Sequence, residues 1–407
     1  MILAPTLTLS AGSGAAIVRP TFSRDFAGEK TLNNGTGPAI AFTRASIGTF
    51  FDANGTLQTA TSDTPRFDHS GGSSLGLLIE ESRQNLLQRS EEFDNAYWTK
   101  TSTTITANDA TAPDGTTSAD LAEKTGNDAT TPARTLAVTA AAHTASVFVK
   151  NVSGDRFRIR IDATGGTIVD AIFNTATGAV STSSAGVTAS IQSAGNGWYR
   201  CAATYTFASA VNATIGFSPR NVDAVDSTGA KAYLWGAQLE AGAFPTSYIP
   251  TTSAAVTRQA DSAIVNPISS FYNASEGTLF AEYRTGAGTP VAGAMVIDDG
   301  TNDNRVGLFL GVSQIAIAAT YTSVGSVSPV ANTIYKRVLG YRANDHAASV
   351  NGAAVATNTA VGVPSGLTTL GIGAEAGGTY AQPCGHIRRI AYFPKRLSNA
   401  LLQSLTT

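Results

Sequence analysis

The chain has 407 residues, enough for two or three domains at roughly 150 residues each. Charged residues make up only 14%, and 27 Lys plus Arg against 29 Asp plus Glu leave a net charge of −2 and no basic field for DNA or anionic lipid. A chain that is 43% hydrophobic and 8% aromatic can bury real cores and is no disordered polymer, and no apolar run in it reaches membrane-spanning length.

The chain opens on Met1-Ile2-Leu3-Ala4-Pro5, and its first basic residue is Arg19, which fails the secretory signal pattern. Residues 1–98 are turn-rich and irregular. Asn54-Gly55 signals a type I′ turn between strands ending near Phe51 and starting at Thr56. Leu75 to Ile79 is a continuous apolar run that reads as a buried strand, and Leu86 to Tyr97 is the best helical candidate, with Ser90 as its cap. This zone lacks the apolar area to fold by itself and is expected to gain order from neighbours.

Residues 99–250 carry strands at the spacing of about 8–12 residues that marks a β-sandwich. Ala145 to Lys150, Phe157 to Ile161, Gly197 to Phe207 and Ala230 to Gly236 are among them. In the second, Phe157, Ile159 and Ile161 share one face and Arg158 and Arg160 the other. A linker, Pro250 to Arg258, precedes residues 260–407, where Thr278 to Arg284, Ala294 to Asp298, Arg305 to Leu310, Tyr335 to Tyr341 and His386 to Phe393 read as a second strand set. Ser398 can cap a short closing helix through Leu405. The fold class expected is therefore all-β: an irregular N-terminal region followed by two antiparallel sandwiches, the second expected to fold alone.

The two cysteines, Cys201 and Cys384, fall in different sandwiches and suit buried thiols made in a reducing compartment. Four histidines and no cysteine pair give a zinc site almost no raw material. Glu80-Glu81 and Glu91-Glu92 cannot form carboxylate pairs across a glycosidic bond by themselves, because neighbours on a strand point to opposite faces. No GxSxG, HExxH or P-loop pattern occurs.

Three stretches together resemble bacteriophage and prophage fibre or spike proteins of the head-spike-fibre and tail-fibre type, or the head spikes of gene transfer agents. The first runs from Leu75-Gly-Leu-Leu-Ile-Glu-Glu-Ser-Arg-Gln-Asn85 to Trp98. The second is Trp235-Gly-Ala-Gln-Leu-Glu240 through Tyr248-Ile-Pro-Thr251, preceded by Gly195-Asn-Gly-Trp-Tyr-Arg200. The third is Asn351-Gly352 with Gly385-His-Ile-Arg-Arg-Ile-Ala-Tyr-Phe393 to Leu397. The resemblance implies a virion-attachment region at 1–98, a carbohydrate-module-like jelly roll at 99–250 and a concanavalin A-like or laminin-G-like sandwich at 260–407. It implies a non-enzymatic virion surface protein, made in the bacterial cytoplasm, that binds host surface polysaccharide. Other virion proteins would be met through 1–98, and several copies would assemble, a trimer before a pentamer. The alternatives are a capsule-degrading glycosidase or depolymerase and a purely structural capsid decoration protein.

Trp198 and Trp235 are candidates for sugar stacking, although in strand-like surroundings beside Tyr199, Tyr233 and Leu234 a core position is more usual. Arg388 and Arg389, with Lys395 and Arg396 nearby, form a basic cluster that suits an acidic polysaccharide or a solvated strand flank. The run from Asp298 to Asn304 sets Asp298, Asp299 and Asp303 in an oxygen-rich loop that suits Ca²⁺ or a hairpin turn. No other cofactor is expected.

Overall fold

The computed structural model describes residues 18–127, 131–163, 166–223, 228–286, 292–374 and 385–407; Cys384 lies outside them. Within these residues the protein is all-β, two antiparallel sandwiches with two short helices, Phe26–Glu29 and Asn399–Leu405. No helix among them is long and apolar enough to cross a membrane.

The middle of the chain forms the jelly roll. A 5-stranded sheet runs Ala133–Val138, Val211–Arg220, Arg156–Ala163, Ile168–Asn174, Ala179–Ser183. It faces a 6-stranded sheet whose central strands are Ala142–Ser153, Trp198–Thr206 and Lys231–Ala241. Alternation decides which side chains go inside. Phe157, Ile159 and Ile161 are fully buried with Phe173, Phe217, Cys201 and Leu234, while Arg160 lies on the far face, ion-paired to Asp170 at 2.8 Å.

The second sandwich is drawn from both ends of the chain. Its 8-stranded sheet runs Ala356–Asn358, His346–Val350, Ile334–Arg342, Glu276–Arg284, Gly385–Phe393, Ser73–Ile79, Arg66–Ser70, and Phe22–Asp25 also pairs with Gly385–Phe393. The opposing 7-stranded sheet begins with Ala41–Thr43 beside Ser262–Val265. Residues 18–98 are thus no separate arm, and 260–407 is no complete strand set. One edge of Gly385–Phe393 is taken up in turn by Leu77 to Ile79 and by Phe22 to Asp25. Phe22, Phe26, Leu77 and Ile79 then share one core with Leu279, Ile297, Leu339 and Tyr392. The close approach depends on Gly76, whose φ is +104°, because a Cβ there would lie 2.4 Å from the Ile387 carbonyl oxygen.

Two local expectations give way for identifiable reasons. Asn54 does not adopt the positive φ that a type I′ turn needs; the bend from Asp52 to Thr56 is held by Asp52 Oδ1, which accepts from the N–H groups of Asn54 and Thr56, with Gly55 alone at φ +76°. Leu86 to Tyr97 is a series of turns rather than a helix. Its backbone donors are claimed elsewhere: Leu86 N–H by Leu239, Arg89 N–H by Thr252, and Phe93 N–H by the Asp120 carboxylate. The closing helix does form, with Ser398 Oγ capping Leu401 N–H at 3.4 Å.

A buried ionic cluster joins the two sandwiches. Arg66 donates to Glu80 at 2.7 Å and to Asp261 at 2.5 Å, Asp261 also receives Arg44 at 3.0 Å, and Arg258 stands 3.5 Å from Glu80. Burial alone would raise the Glu80 carboxyl, but the charges of Arg258 and Arg66 and two bonds from Ser247 outweigh it and hold it well below the usual carboxylate range.

Candidate functional site

The side of the 8-stranded sheet that faces away from the core is partly covered by the helix Asn399–Leu405 and by the loop that follows Phe26–Glu29. Between these covers lies a groove of about 340 Å³. Its floor follows from strand alternation. In Glu276–Arg284, Leu279, Ala281 and Tyr283 turn inward, so Phe280 and Glu282 turn outward.

Register then builds a row of four charges. Asp25 is opposite Arg389, Arg389 is opposite Glu282, and Glu282 is opposite Lys336, so the signs alternate across four adjacent strands. Arg389 Nε lies 3.2 Å from Glu282 Oε2 and 4.0 Å from Asp25 Oδ2. A bulge between Glu282 and Tyr283 breaks the regular alternation opposite, and Arg388 also reaches Glu282, donating from Nε to Oε1 at 2.9 Å. Asp25 has a second duty, since its Oδ1 accepts from Gly28 N–H at 2.8 Å and caps the first helix. Lys336 Nζ donates to the Thr407 backbone oxygen.

Two residues further along each strand the next row is apolar. Ala391 is opposite Phe280, which is opposite Val338, and the half-buried Phe280 ring packs with Ala391 against Phe393 and Leu405. The floor is therefore amphipathic, one polar row beside one apolar row.

The residues singled out from sequence are placed as follows. Trp198 and Trp235 lie on the outer face of the jelly roll but are 2% and 1% exposed, sealed by Leu57, Phe51 and Tyr248. Their indole N–H groups are spent on the Thr111 carbonyl at 3.2 Å and on Ser118 Oγ at 3.0 Å, so neither offers a face to a sugar. Arg389 lines the groove, and Arg388 braces it from beside, donating also to the Ser74 carbonyl at 2.9 Å. Lys395 and Arg396 are matched by Glu276 and Asp345, both at 3.0 Å.

The oxygen-rich loop is a hairpin tip. Asp298 is buried and accepts from Gly300 N–H, while Asp299 accepts from the N–H and Oγ1 of Thr301 and from Asn304. Burial opposes ionisation of Asp299, yet those bonds outweigh it and lower its proton affinity. Asp303 spends its N–H on Thr301 Oγ1 and its carbonyl on Ala319. Among the described residues no group of three or more His, Cys, Asp or Glu side chains is placed to hold a metal.

Asp25, Phe280, Glu282 and Lys336 went unmarked in the sequence. The alternation from Leu279 to Tyr283 would have flagged Phe280 and Glu282 as sharing one face; Asp25 and Lys336 carry no local signal.

No family model matches the chain, and no curated protein does. Among solved structures it is similar to the CBM40 of the Ruminococcus gnavus IT-sialidase bound to alpha2,3 sialyllactose, with 18% identity, a TM-score of 0.29, and coverage of 33% of this chain and 83% of that one. It is similar to domain 4 of AbnA, a GH43 extracellular arabinanase from Geobacillus stearothermophilus in complex with arabinotriose, with 6% identity, a TM-score of 0.31, and coverage of 40% and 82%. The Trypanosoma rangeli sialidase in complex with the inhibitor DANA matches with 11% identity and a TM-score of 0.26, over 67% of this chain and 52% of that one.

Proposed function

We propose that the chain is a non-enzymatic spike or fibre protein on a phage-type particle, and that it holds host surface polysaccharide in the groove of its second sandwich. The observation that carries this reading is the amphipathic floor. A pyranose ring offers hydroxyls at its edge and C–H groups on its face, and the row from Asp25 to Lys336 beside Ala391 and Phe280 presents partners for both. The long motifs that resemble fibre and spike proteins support the particle setting. Single sugar contacts of this kind are weak, and several copies per spike would multiply them, a trimer before a pentamer.

The test is to incubate the purified chain with host polysaccharide and to measure both retention and polymer length. Retention of full-length polymer is expected. Shortened polymer would make the protein a depolymerase, and no retention at all would favour a structural decoration role.

A further inference from the structure

We propose that the groove selects uncharged sugar chains over acidic ones. This inference rests on the carbohydrate reading above and sharpens it. The polar row contains two carboxylates and two cations in strict alternation, Asp25, Arg389, Glu282 and Lys336, so it has many strong hydrogen-bonding groups and no net charge.

The cations of the row, with Arg388 and Arg24 beside it, are also already turned to acceptors, while Arg19 and Glu29, which line the groove as well, add one charge of each sign. Arg389 stands between Glu282 and Asp25, Arg388 donates to Glu282 and to the Ser74 carbonyl, and Lys336 donates to the Thr407 backbone oxygen. Arg24, on the groove wall, donates from Nε to the Leu32 carbonyl at 2.7 Å and from Nη1 to the Thr36 carbonyl at 2.5 Å.

A ligand carboxylate would have to compete with Glu282 or Asp25 for its guanidinium and would then face those carboxylates at close range. Like charges in a half-buried site repel, so that exchange is unfavourable. A sugar hydroxyl meets no such conflict. One O–H can accept from a guanidinium and donate to the neighbouring carboxylate, which leaves the ion pairs intact. The apolar row beside it takes the C–H face of the ring against Phe280.

The full chain is tested against immobilised neutral glucans, mannans and galactans and against acidic polygalacturonate and polysialate. Neutral polymer is expected to be retained at least about tenfold more tightly than acidic polymer. That retention should change less than about twofold between roughly 0.05 and 0.5 M salt, because internally paired charges leave little to screen. Glu282→Gln strips Arg388 and Arg389 of their shared carboxylate and should move the preference about tenfold toward acidic polymer. Phe280→Ala should weaken neutral retention about tenfold. Acidic polymer held as well as or better than neutral polymer, with steep salt dependence, would overturn the selectivity and leave the carbohydrate reading standing. No retention of any polymer would overturn both. The salt and polymer comparisons need only the unsubstituted chain, so they decide the matter even if a variant fails to fold.

Discussion

Ser247 grips the Glu80 carboxylate with two bonds, its backbone N–H donating to Oε1 at 2.7 Å and its Oγ to Oε2 at 2.6 Å. Glu80 directly follows the strand Ser73–Ile79 of the second sandwich, and Ser247 follows the last strand of the jelly roll, so the bond pair pins one sandwich to the other. Glu80→Gln keeps the shape but leaves Arg66 and Arg258 short of a buried counter-charge. The expected cost is about 3–5 kcal/mol in denaturant unfolding. A loss below about 1 kcal/mol would show that the cluster tolerates an uncompensated charge.

Trp198 fills the junction between the jelly roll and the hairpin formed by Gly48–Phe51 and Leu57–Ala60. Trp198→Ala should cost about 3–5 kcal/mol through lost burial and the cavity left behind. Polysaccharide retention by the folded fraction should be unchanged, since the groove lies on the other sandwich. Unchanged melting with lost retention would instead place a sugar at Trp198.

Between neutrality and pH 5 acid should stabilise the fold through Asp120, in the opposite sense to His143, whose burial lowers its affinity for a proton. Burial pushes the Asp120 carboxyl up to about 6, against the backbone N–H bonds from Asn108 and Phe93 that favour the ion. Burial likewise raises Glu240 and Glu91. A carboxyl whose folded value exceeds its unfolded one adds stability below the unfolded value and loses it as pH rises through the folded one. Going from pH 7 to pH 5 should therefore add about 1 kcal/mol from Asp120, read as the difference in the pH slope of stability between the unsubstituted chain and Asp120→Asn. Glu80 has the opposite sign. Its value is depressed, so its contribution holds through this window and fades only in stronger acid.

A fragment of residues 260–407 should not reach a native state. It lacks Ser73–Ile79 and Phe22–Asp25, which pair with Gly385–Phe393, and it lacks Phe22, Phe26, Leu77 and Ile79 from the core. Insoluble protein, or a soluble form that binds an apolar dye and has no near-ultraviolet circular dichroism, is expected. A sharp unfolding transition from this fragment would show that the remaining strands suffice.

Much of this architecture was legible locally. The alternation from Phe157 to Ile161 and the Ser398 cap both follow from short-range rules, and both appear where those rules place them. What local patterning cannot carry is partnership. Nothing near Leu77 signals that its neighbour is Ile387, since strand pairing is decided by the whole core. The helix expected at Leu86 to Tyr97 does not form for the same reason: distant segments, among them Leu239, Thr252 and Asp120, take up its backbone N–H groups. The groove was half visible, as Arg388 and Arg389, because a basic pair stands out in a chain so poor in charge. The carboxylates that pair with it, Glu282 and Asp25, come from other strands, and no local pattern announces them.

The insertion of one sandwich between the two halves of the other also sets an order of events during synthesis. Strands as early as Phe22–Asp25 and Ser73–Ile79 leave the ribosome tens of seconds before Gly385–Phe393 arrives to pair with them. All the jelly-roll strands lie within a contiguous stretch, so that body can close while the early strands still wait. Protease resistance in nascent chains of increasing length should accordingly appear first within residues 99–250. The groove, whose row joins Asp25 to Arg389, can exist only once Arg389 has been translated.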